Sequence, residues 1–512
     1  MHSLQLHAYP GCGPEIAAIA KQALPRRIEA IARERQMQQI DPVSSVMFLR
    51  EQEHYHPNLV GIYFVEGDLA EEDSVLTNLI LTRLSQSPAF SALIAPTPLQ
   101  LDHPYWVTAS EVSAERHITF QRVQGAGDWN ALRTQLVAFA EEPFDLARPL
   151  WEVTVYRGFR DDKVPGTAAA IAVKVHHGVL DGLGLSKFAG QLFDLQPQSP
   201  SERRPRGIMT AGSPTETGPR RAVSFGRTAR GALTRLLNLP AEVRSMRQSQ
   251  RAYEKSVASG ERPRLRKVAP STIFNAPTRA HRVFDAEWFP LEDIQNLRTL
   301  VPGATVNDVA LTIIAGALRS YLAAESALPA DSLLCGVPMS LRDNDDPALG
   351  NTLTGLCVDL YTTVSDPVER MRLISAASYW EKQRVRQYGA VIGAGAVAIQ
   401  LPPALLREIL RSEERSASEG STVTGANVAV TNIPRDARVA YFGQNRVVRT
   451  CGIVSLNPGI GLKHEISSLN GELSISVLAN ADQLRRPEEY MAALRDEFSL
   501  LRNHQFVHSA TR

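Results

Sequence analysis

Apolar positions along this 512-residue chain follow two rhythms, one of period two and one near 3.6, and the two alternate throughout. Short apolar runs predict strands over residues 58–66, 117–123, 148–156 and 168–175. Helical spacing predicts helices over 70–85, 130–140 and 185–195. From about Arg279 the mixture begins again. Thr305 and Asp308 make a capping-box-like start to a strong helix over 309–324. Strands are expected over 333–341, 355–363, 427–431, 461–468 and 473–477, with helices over 366–386 and 488–501. The pattern predicts two mixed α/β domains of similar build, 41–196 and 271–505, and no internal repeat of solenoid length.

Two stretches fall outside that pattern. Residues 1–40 form an extension in which Ile16, Ile19, Ala23, Leu24, Ile28 and Ile31 recur at helical spacing among arginines, with Pro25 as a kink. Such a basic amphipathic helix can lie on a membrane surface or pack on its own domain. Residues 197–270 are rich in Pro, Ser, Gly and Arg, with one helical piece over 232–253, and read as a linker between domains.

Charge sharpens the linker. The whole chain carries +1, which gives no nucleic-acid signature. Residues 202–267 alone carry +11, which leaves −10 for the rest. That basic stretch can be a solvated face or a hold on an anionic membrane surface. The cysteines Cys12, Cys335, Cys357 and Cys451 are far apart, with no zinc spacing, and predict free thiols in a reducing, cytoplasmic setting. The first residues lack the basic-then-apolar pattern of a signal peptide, so none is expected. The uncharged run 387–406 is broken by Gln400, Pro402 and Pro403, and is read as a buried helix lining a cavity.

The chemistry-bearing stretch is His176-His177-Gly178-Val179-Leu180-Asp181-Gly182, at the end of the strand 168–175. Neighbours on a strand point to opposite faces, so only one histidine can face a given cavity. A neutral imidazole there suits a general base. The plainer alternative is a pair of strand-end histidines with Asp181 as a turn or N-cap residue. No G-x-S-x-G, phosphate loop, G-x-G-x-x-G or H-E-x-x-H competes, and His464-Glu465 finds no further metal ligands.

H-H-x-x-x-D-G resembles the motif of acyl-CoA-dependent acyltransferases related to chloramphenicol acetyltransferase and to condensation domains. Its companions resemble the bacterial wax ester synthase/diacylglycerol acyltransferase family. They are Pro149-Leu150-Trp151-Glu152, Asn307-Asp308-Val309-Ala310-Leu311, Pro338-Met339-Ser340-Leu341-Arg342, Leu349-Gly350-Asn351, Asp366 to Arg370 and Asn427 to Pro434. The resemblance runs from about Asp41 to about Leu501. Residues 352–362 lack that family's usual L-P-T ending, and residues 1–40 have no counterpart in it.

The resemblance implies two chloramphenicol-acetyltransferase-like domains with the active site in a tunnel between them. It implies transfer of a fatty acyl group from acyl-CoA to a diacylglycerol or long-chain alcohol, giving triacylglycerol or wax ester. His177 would be the general base, His176 a packing or positioning residue, and Asp181 a strut in a salt bridge with Arg342, or failing that Arg148. Gly182, Asn307 and Asp308 would line the substrates, and the small residues of 388–399 an acyl channel. Trp151 is expected in the core. Acyl-CoA enters as substrate, with no cofactor and no metal. The expected place is cytoplasmic, peripheral at the inner membrane or on lipid droplets. A carrier-protein acyl donor, another alcohol acceptor, and a non-enzymatic lipid-surface binding protein are the competing readings.

Overall fold

The computed structural model describes residues 37–51, 55–198, 223–277, 281–340, 349–351, 353–389, 400–418, 425–435 and 438–510. Seven strands precede the basic stretch: β1 (Gln38–Gln39), β2 (Asn58–Val65), β3 (Ala92–Ala95), β4 (Tyr105–Thr108), β5 (Ile118–Arg122), β6 (Trp151–Arg157) and β7 (Ala169–His176). Eight follow it: β8 (Arg282–Pro290), β9 (Leu334–Ser340), β10 (Leu353–Asp359), β11 (Val428–Asn432), β12 (Ala440–Phe442), β13 (Asn445–Val454), β14 (Leu462–Leu469) and β15 (Glu472–Asn480). They form two six-stranded sheets, ordered β12-β13-β2-β7-β6-β5 and β10-β9-β11-β14-β15-β8, and a small sheet β1-β4-β3. Both large sheets are mixed, as expected: β5 runs parallel to β6, and β11 runs parallel to both β9 and β14.

The boundary between the halves does not follow the chain. Strands β12 and β13 come from the region assigned to the second domain, yet they complete the sheet of the first. The expected division into 41–196 and 271–505 therefore needs this correction: residues 440–454 cross over. The register runs from Val447 opposite Val65 to Val454 opposite Leu59, with a bulge between Val447 and Arg449. Burial explains why β2 and β7 read as largely apolar runs, broken in β7 by Lys174, which pairs with Glu152 (2.8 Å). Every residue of both strands is buried, because helices cover one face and the second half covers the other.

Polar groups stitch the seam. Trp129 Nε1 donates to Asp285 Oδ1 (3.0 Å), Thr450 Oγ1 to the Ile62 carbonyl (2.8 Å), and Ser476 Oγ to the Gly452 carbonyl (2.6 Å). Arg435 donates to the Tyr63 phenol (2.6 Å) and to Glu465 (3.3 Å), all buried. Buried charge of this kind is tolerable only when paired.

The helical piece expected at 232–253 lies within a 34-residue helix, Phe225–Ala258, capped by Ser224 and carrying Pro240 inside it. The run 387–406 ends inside a helix starting at Pro403, and 390–399 lie outside the described residues. Among the described residues no helix is long and apolar enough to cross a membrane.

Trp151 is a core residue, 1% exposed. Its Nε1 donates to the Phe90 carbonyl (2.9 Å), and its ring stacks on His117 at 4.5 Å. Next to it, the Leu150 carbonyl accepts the His176 N–H (3.1 Å), so this aromatic underpins the motif strand. Replacing Trp151 by Ala is expected to cost about 3–5 kcal/mol of stability, read by denaturant unfolding; a loss under about 1 kcal/mol would show that the site is not packed as described.

Candidate active site

The two histidines leave β7 on opposite sides and enter different environments. His176 is fully buried, with its ring stacked on Phe48 at 4.7 Å. Its Nδ1 accepts the Gly178 N–H (2.9 Å), so Nε2 must carry the proton, and it donates that proton to Glu51 (3.0 Å). Glu51 also meets His56 Nδ1 at 2.6 Å. Burial opposes the Glu51 charge, but the hydrogen bonds from His176 and His56 outweigh it and hold the carboxyl below its usual range. Burial likewise lowers the His176 pKa, with Glu51 pulling the other way. His176 is thus a neutral imidazole with one tautomer fixed from both nitrogens.

His177 is only partly covered. Its N–H donates to the Pro57 carbonyl (2.7 Å), and its own carbonyl accepts from Asn351 Nδ2 (2.6 Å). Its Nδ1 is buried without a bond to another residue, which leaves Nε2 as the nitrogen open to a substrate. Burial pushes the imidazole down to about 4; the residue's own backbone carbonyl opposes this, the Lys463 ammonium adds to it, and the Asp181 carboxylate opposes it. The ring is therefore an uncharged proton acceptor at neutral pH.

The Leu349-Gly350-Asn351 element is the latch behind the loop. Gly350 N–H donates to the Val179 carbonyl (2.8 Å), and Leu180 bridges Gly350 in parallel. Asn351 binds Asp41 through its N–H (3.2 Å) and Ser44 Oγ through Nδ2 (2.9 Å). Asp41 also N-caps the Pro42–Leu49 helix, which carries Phe48. Two glycines of the motif are required by close approach. A Cβ on Gly178 would stand 2.4 Å from the Phe48 ring, and one on Gly182 2.9 Å from Ile433.

Asp181 is buried and N-caps the Gly182–Gly190 helix, its Oδ1 accepting the Gly184 N–H (2.8 Å). Arg342, its expected partner, lies outside the described residues, and Arg148 pairs with Asp145 (3.0 Å). Asn307 occupies the first turn of the Val306–Ala324 helix, where its Oδ1 receives Asn432 Nδ2 at 3.5 Å. Asn432 adjoins Ile433, and Ile433 packs on Gly182, so Asn307 is joined to the loop through this segment. Asp308 has local work: its Oδ2 accepts both Thr305 N–H (2.9 Å) and Thr305 Oγ1 (2.8 Å) in a full capping box. His464 meets the Tyr490 hydroxyl (2.7 Å), and among the described residues no group of His, Cys, Asp and Glu gathers as a metal site.

Sequence reasoning passed over Glu51, Phe48 and Lys463. The signals were a Glu/His run from Glu51 to His56, and the buried polar run Lys463-His464-Glu465 at the start of β14. A cavity of about 430 Å³ lies elsewhere, between the Phe225–Ala258 helix and Gln39 and Tyr105. The run 388–399, read as a channel wall, is described only at Tyr388 and Gly389.

Two outcomes follow from this geometry. Asn351→Ala leaves the His177 carbonyl without its buried donor and is expected to cost roughly 1–3 kcal/mol in denaturant unfolding; an unchanged midpoint would show the latch to be idle. Burial lowers His177 to about 4 and His464 to about 3, against 6.5 for an exposed imidazole. Below pH 6.5 the unfolded chain takes up protons that the folded chain refuses. Their contribution to stability is therefore complete above that pH and is lost as pH falls towards 4. The melting temperature should drop across that window, and a flat profile would contradict the depressed pKa of these two histidines.

The chain was compared with known proteins. Residues 44–310 match the wax ester synthase/diacylglycerol acyltransferase catalytic domain, and residues 349–502 match the WS/DGAT C-terminal domain. A candidate diacylglycerol O-acyltransferase of Mycobacterium tuberculosis strain H37Rv is 27% identical over 421 residues, covering 78% of this chain and 76% of the relative. Another, from strain CDC 1551, is 23% identical over 476 residues, covering 91% and 96%. The fold is similar to that of the wax ester synthase/diacylglycerol acyltransferase from Marinobacter aquaeolei VT8, with a TM-score of 0.63 at 19% identity over 91% of this chain and 100% of that one. It is also similar to the first condensation domain of the calcium-dependent antibiotic synthetase, with a TM-score of 0.55 at 14% identity over 91% and 95%. Two matched domains spanning most of the sequence, over a site assembled from both halves, establish that the chain belongs to the wax ester synthase/diacylglycerol acyltransferase family.

Proposed function

We propose that the chain is an acyl-CoA-dependent O-acyltransferase that esterifies a diacylglycerol or a long-chain alcohol, with His177 as the general base. The supporting observation is the state of His177: uncharged, held at N–H and carbonyl by Pro57 and Asn351, with one ring nitrogen open. A thioester is already activated, whereas an alcohol is a poor nucleophile at neutral pH. What remains for the protein is a base, alignment of the two substrates, and donors for the oxyanion. The hydroxyl oxygen bonds to the thioester carbonyl carbon as its proton passes to His177 Nε2. The carbon–sulfur bond of the tetrahedral adduct then breaks, and the sulfur takes that proton. His176 and Asp181 hold the loop in place. Asn307, with the N–H groups of its helix start, is the proposed contact for the developing oxyanion.

The proposed partner surface is lipid, and the long basic helix supports it. Phe225, Leu233, Leu236 and Leu237 are 59%, 57%, 49% and 70% exposed. Helical spacing places them on one outward face, continued by exposed Arg244, Arg247 and Arg251. The opposite face carries Arg235, which is bound to Asp102 (2.7 Å) and Gln39 (2.8 Å). An apolar ridge continued by arginines suits an anionic, peripheral membrane surface on the cytoplasmic side.

Purified protein with palmitoyl-CoA and either hexadecanol or diacylglycerol should form ester, and His177→Ala should lose about 10²–10⁴-fold. No ester above that variant with either acceptor would overturn the assignment. Palmitoyl carrier protein in place of palmitoyl-CoA identifies the donor. Wild-type protein should float with phosphatidylcholine vesicles containing phosphatidylglycerol. Flotation should weaken in high salt and in a Leu233→Ser/Leu236→Ser/Leu237→Ser variant, and equal flotation of that variant would remove the helix from the membrane contact.

A further inference from the structure

Lys463 is buried in β14 at 8% exposure, and nothing in the acyl-transfer scheme uses it. Its Nζ donates to the Ser455 carbonyl (2.6 Å) and to Asn457 Oδ1 (2.7 Å). An ammonium carries a third N–H, and among the described residues neither a further acceptor nor a carboxylate meets it. A buried positive charge without a carboxylate is costly. If Lys463 only pegged two oxygens, a neutral donor would serve as well at lower cost.

Its position gives the charge a target. Ser455 leaves β13 beside Asn58: the Ser455 N–H donates to the Asn58 carbonyl (3.2 Å), and the Asn58 N–H donates to Ser455 Oγ (3.1 Å). Asn58 in turn faces His176 across the β2–β7 pairing, and the Pro57 carbonyl holds the His177 N–H. Ser455, Pro57–Asn58 and His176–His177 thus lie in a row across the end of one sheet, two strand spacings or about 10 Å wide. Lys463 reaches this row from the other sheet.

We infer that Lys463 is a positioning residue for acyl transfer: its ammonium acts through space on the His177 ring, disfavouring the imidazolium and urging its proton onto the leaving sulfur. This rests on the reading of His177 as the general base. The charges around the pair are few. His177 is faced by Asp181, His176 and Lys463. Lys463 is faced by Arg50, and the Tyr55 phenol shares Asn457 Oδ1 at 3.3 Å. Glu51 and His56 stand beyond His176. Burial, with Arg50 adding to it, brings Lys463 down to about 7. Its charge is therefore present below that pH and fades above it, which places an alkaline limb near neutrality on the proton-transfer step.

The test uses full-length protein with ¹⁵N-labelled histidine, His177 being assigned by its absence in His177→Ala. Lys463→Gln keeps two donors for Ser455 and Asn457 and removes the charge. His177 should then titrate about half to one pH unit higher than in wild type. In kinetics the same variant should lower kcat, leave KM for palmitoyl-CoA nearly unchanged, and raise the acid limb of kcat/KM. Lys463→Arg should keep kcat and move the alkaline limb above neutrality. An unmoved His177 midpoint in Lys463→Gln, or full kcat in that variant, would overturn the inference and leave Lys463 as a peg. If thermal melting shows Lys463→Gln unfolded, the Lys463→Arg profile decides: a displaced alkaline limb supports the inference and an unmoved one overturns it. Wild-type protein that forms no ester would defeat the acyltransferase reading, while the titration would still report on the coupling.

Discussion

A strand inserted into a buried sheet must find partners for its backbone groups, since water cannot supply them. Strand β13 meets that demand by pairing with β2 from Val447–Val65 to Val454–Leu59. Most of what matters in this molecule hangs on that ladder. It fastens the second half to the first, delivers Ser455 to the end of the sheet beside Asn58, and brings β14 close enough for Lys463 to reach the row that carries His177. The seam is polar as well as apolar, and two of its buried charges sit in hydrogen-bonded sets: Arg435 with Tyr63 and Glu465, and Asp285 with Trp129 and Arg133. Sets of this kind fix one relative placement of the two sheets more sharply than hydrophobic contact alone does.

Within that frame the paired histidines are chemically unlike. One has both nitrogens committed, to Gly178 and Glu51, and cannot take part in proton transfer without breaking its own support. The other has an open nitrogen and a backbone clamped from two directions. One side of that clamp is Asn351, far along the chain, so the His177 backbone is held from both directions only when the halves are together. Gly178 and Gly182 let Phe48 and Ile433 press against the loop from opposite halves.

The sequence made β2 and β7 legible because every residue of both strands is buried, which favours apolar side chains along most of their length. The motif loop was legible from its strand end, and the N-cap alternative for Asp181 describes its side chain well. Asp308 stood in plain view as the fourth residue of a capping box, and the capping bonds account for its Oδ2. Strand β13 was harder. Arg446 and Arg449 interrupt its apolar run because its first half faces solvent and Glu472, while Thr450 to Val454 are buried. No local pattern says which sheet a strand will join. Glu51 and Lys463 were missed for a related reason: each works across a contact between distant segments, and spacing along the chain does not encode such contacts.

The crossover also shapes how the protein comes into being. Thr450 and Ile62 touch across 388 residues of chain. On the ribosome β2 emerges with one long flank unpaired, and that flank stays open until β13 has been made. Unpaired strand edges are templates for intermolecular pairing. High contact order of this kind slows folding and lengthens exposure. A chain cut before β13 would keep its histidine motif and lose the strand that closes its first sheet, so synthesis has to pass β13 before that sheet, and the loop it carries, can be complete.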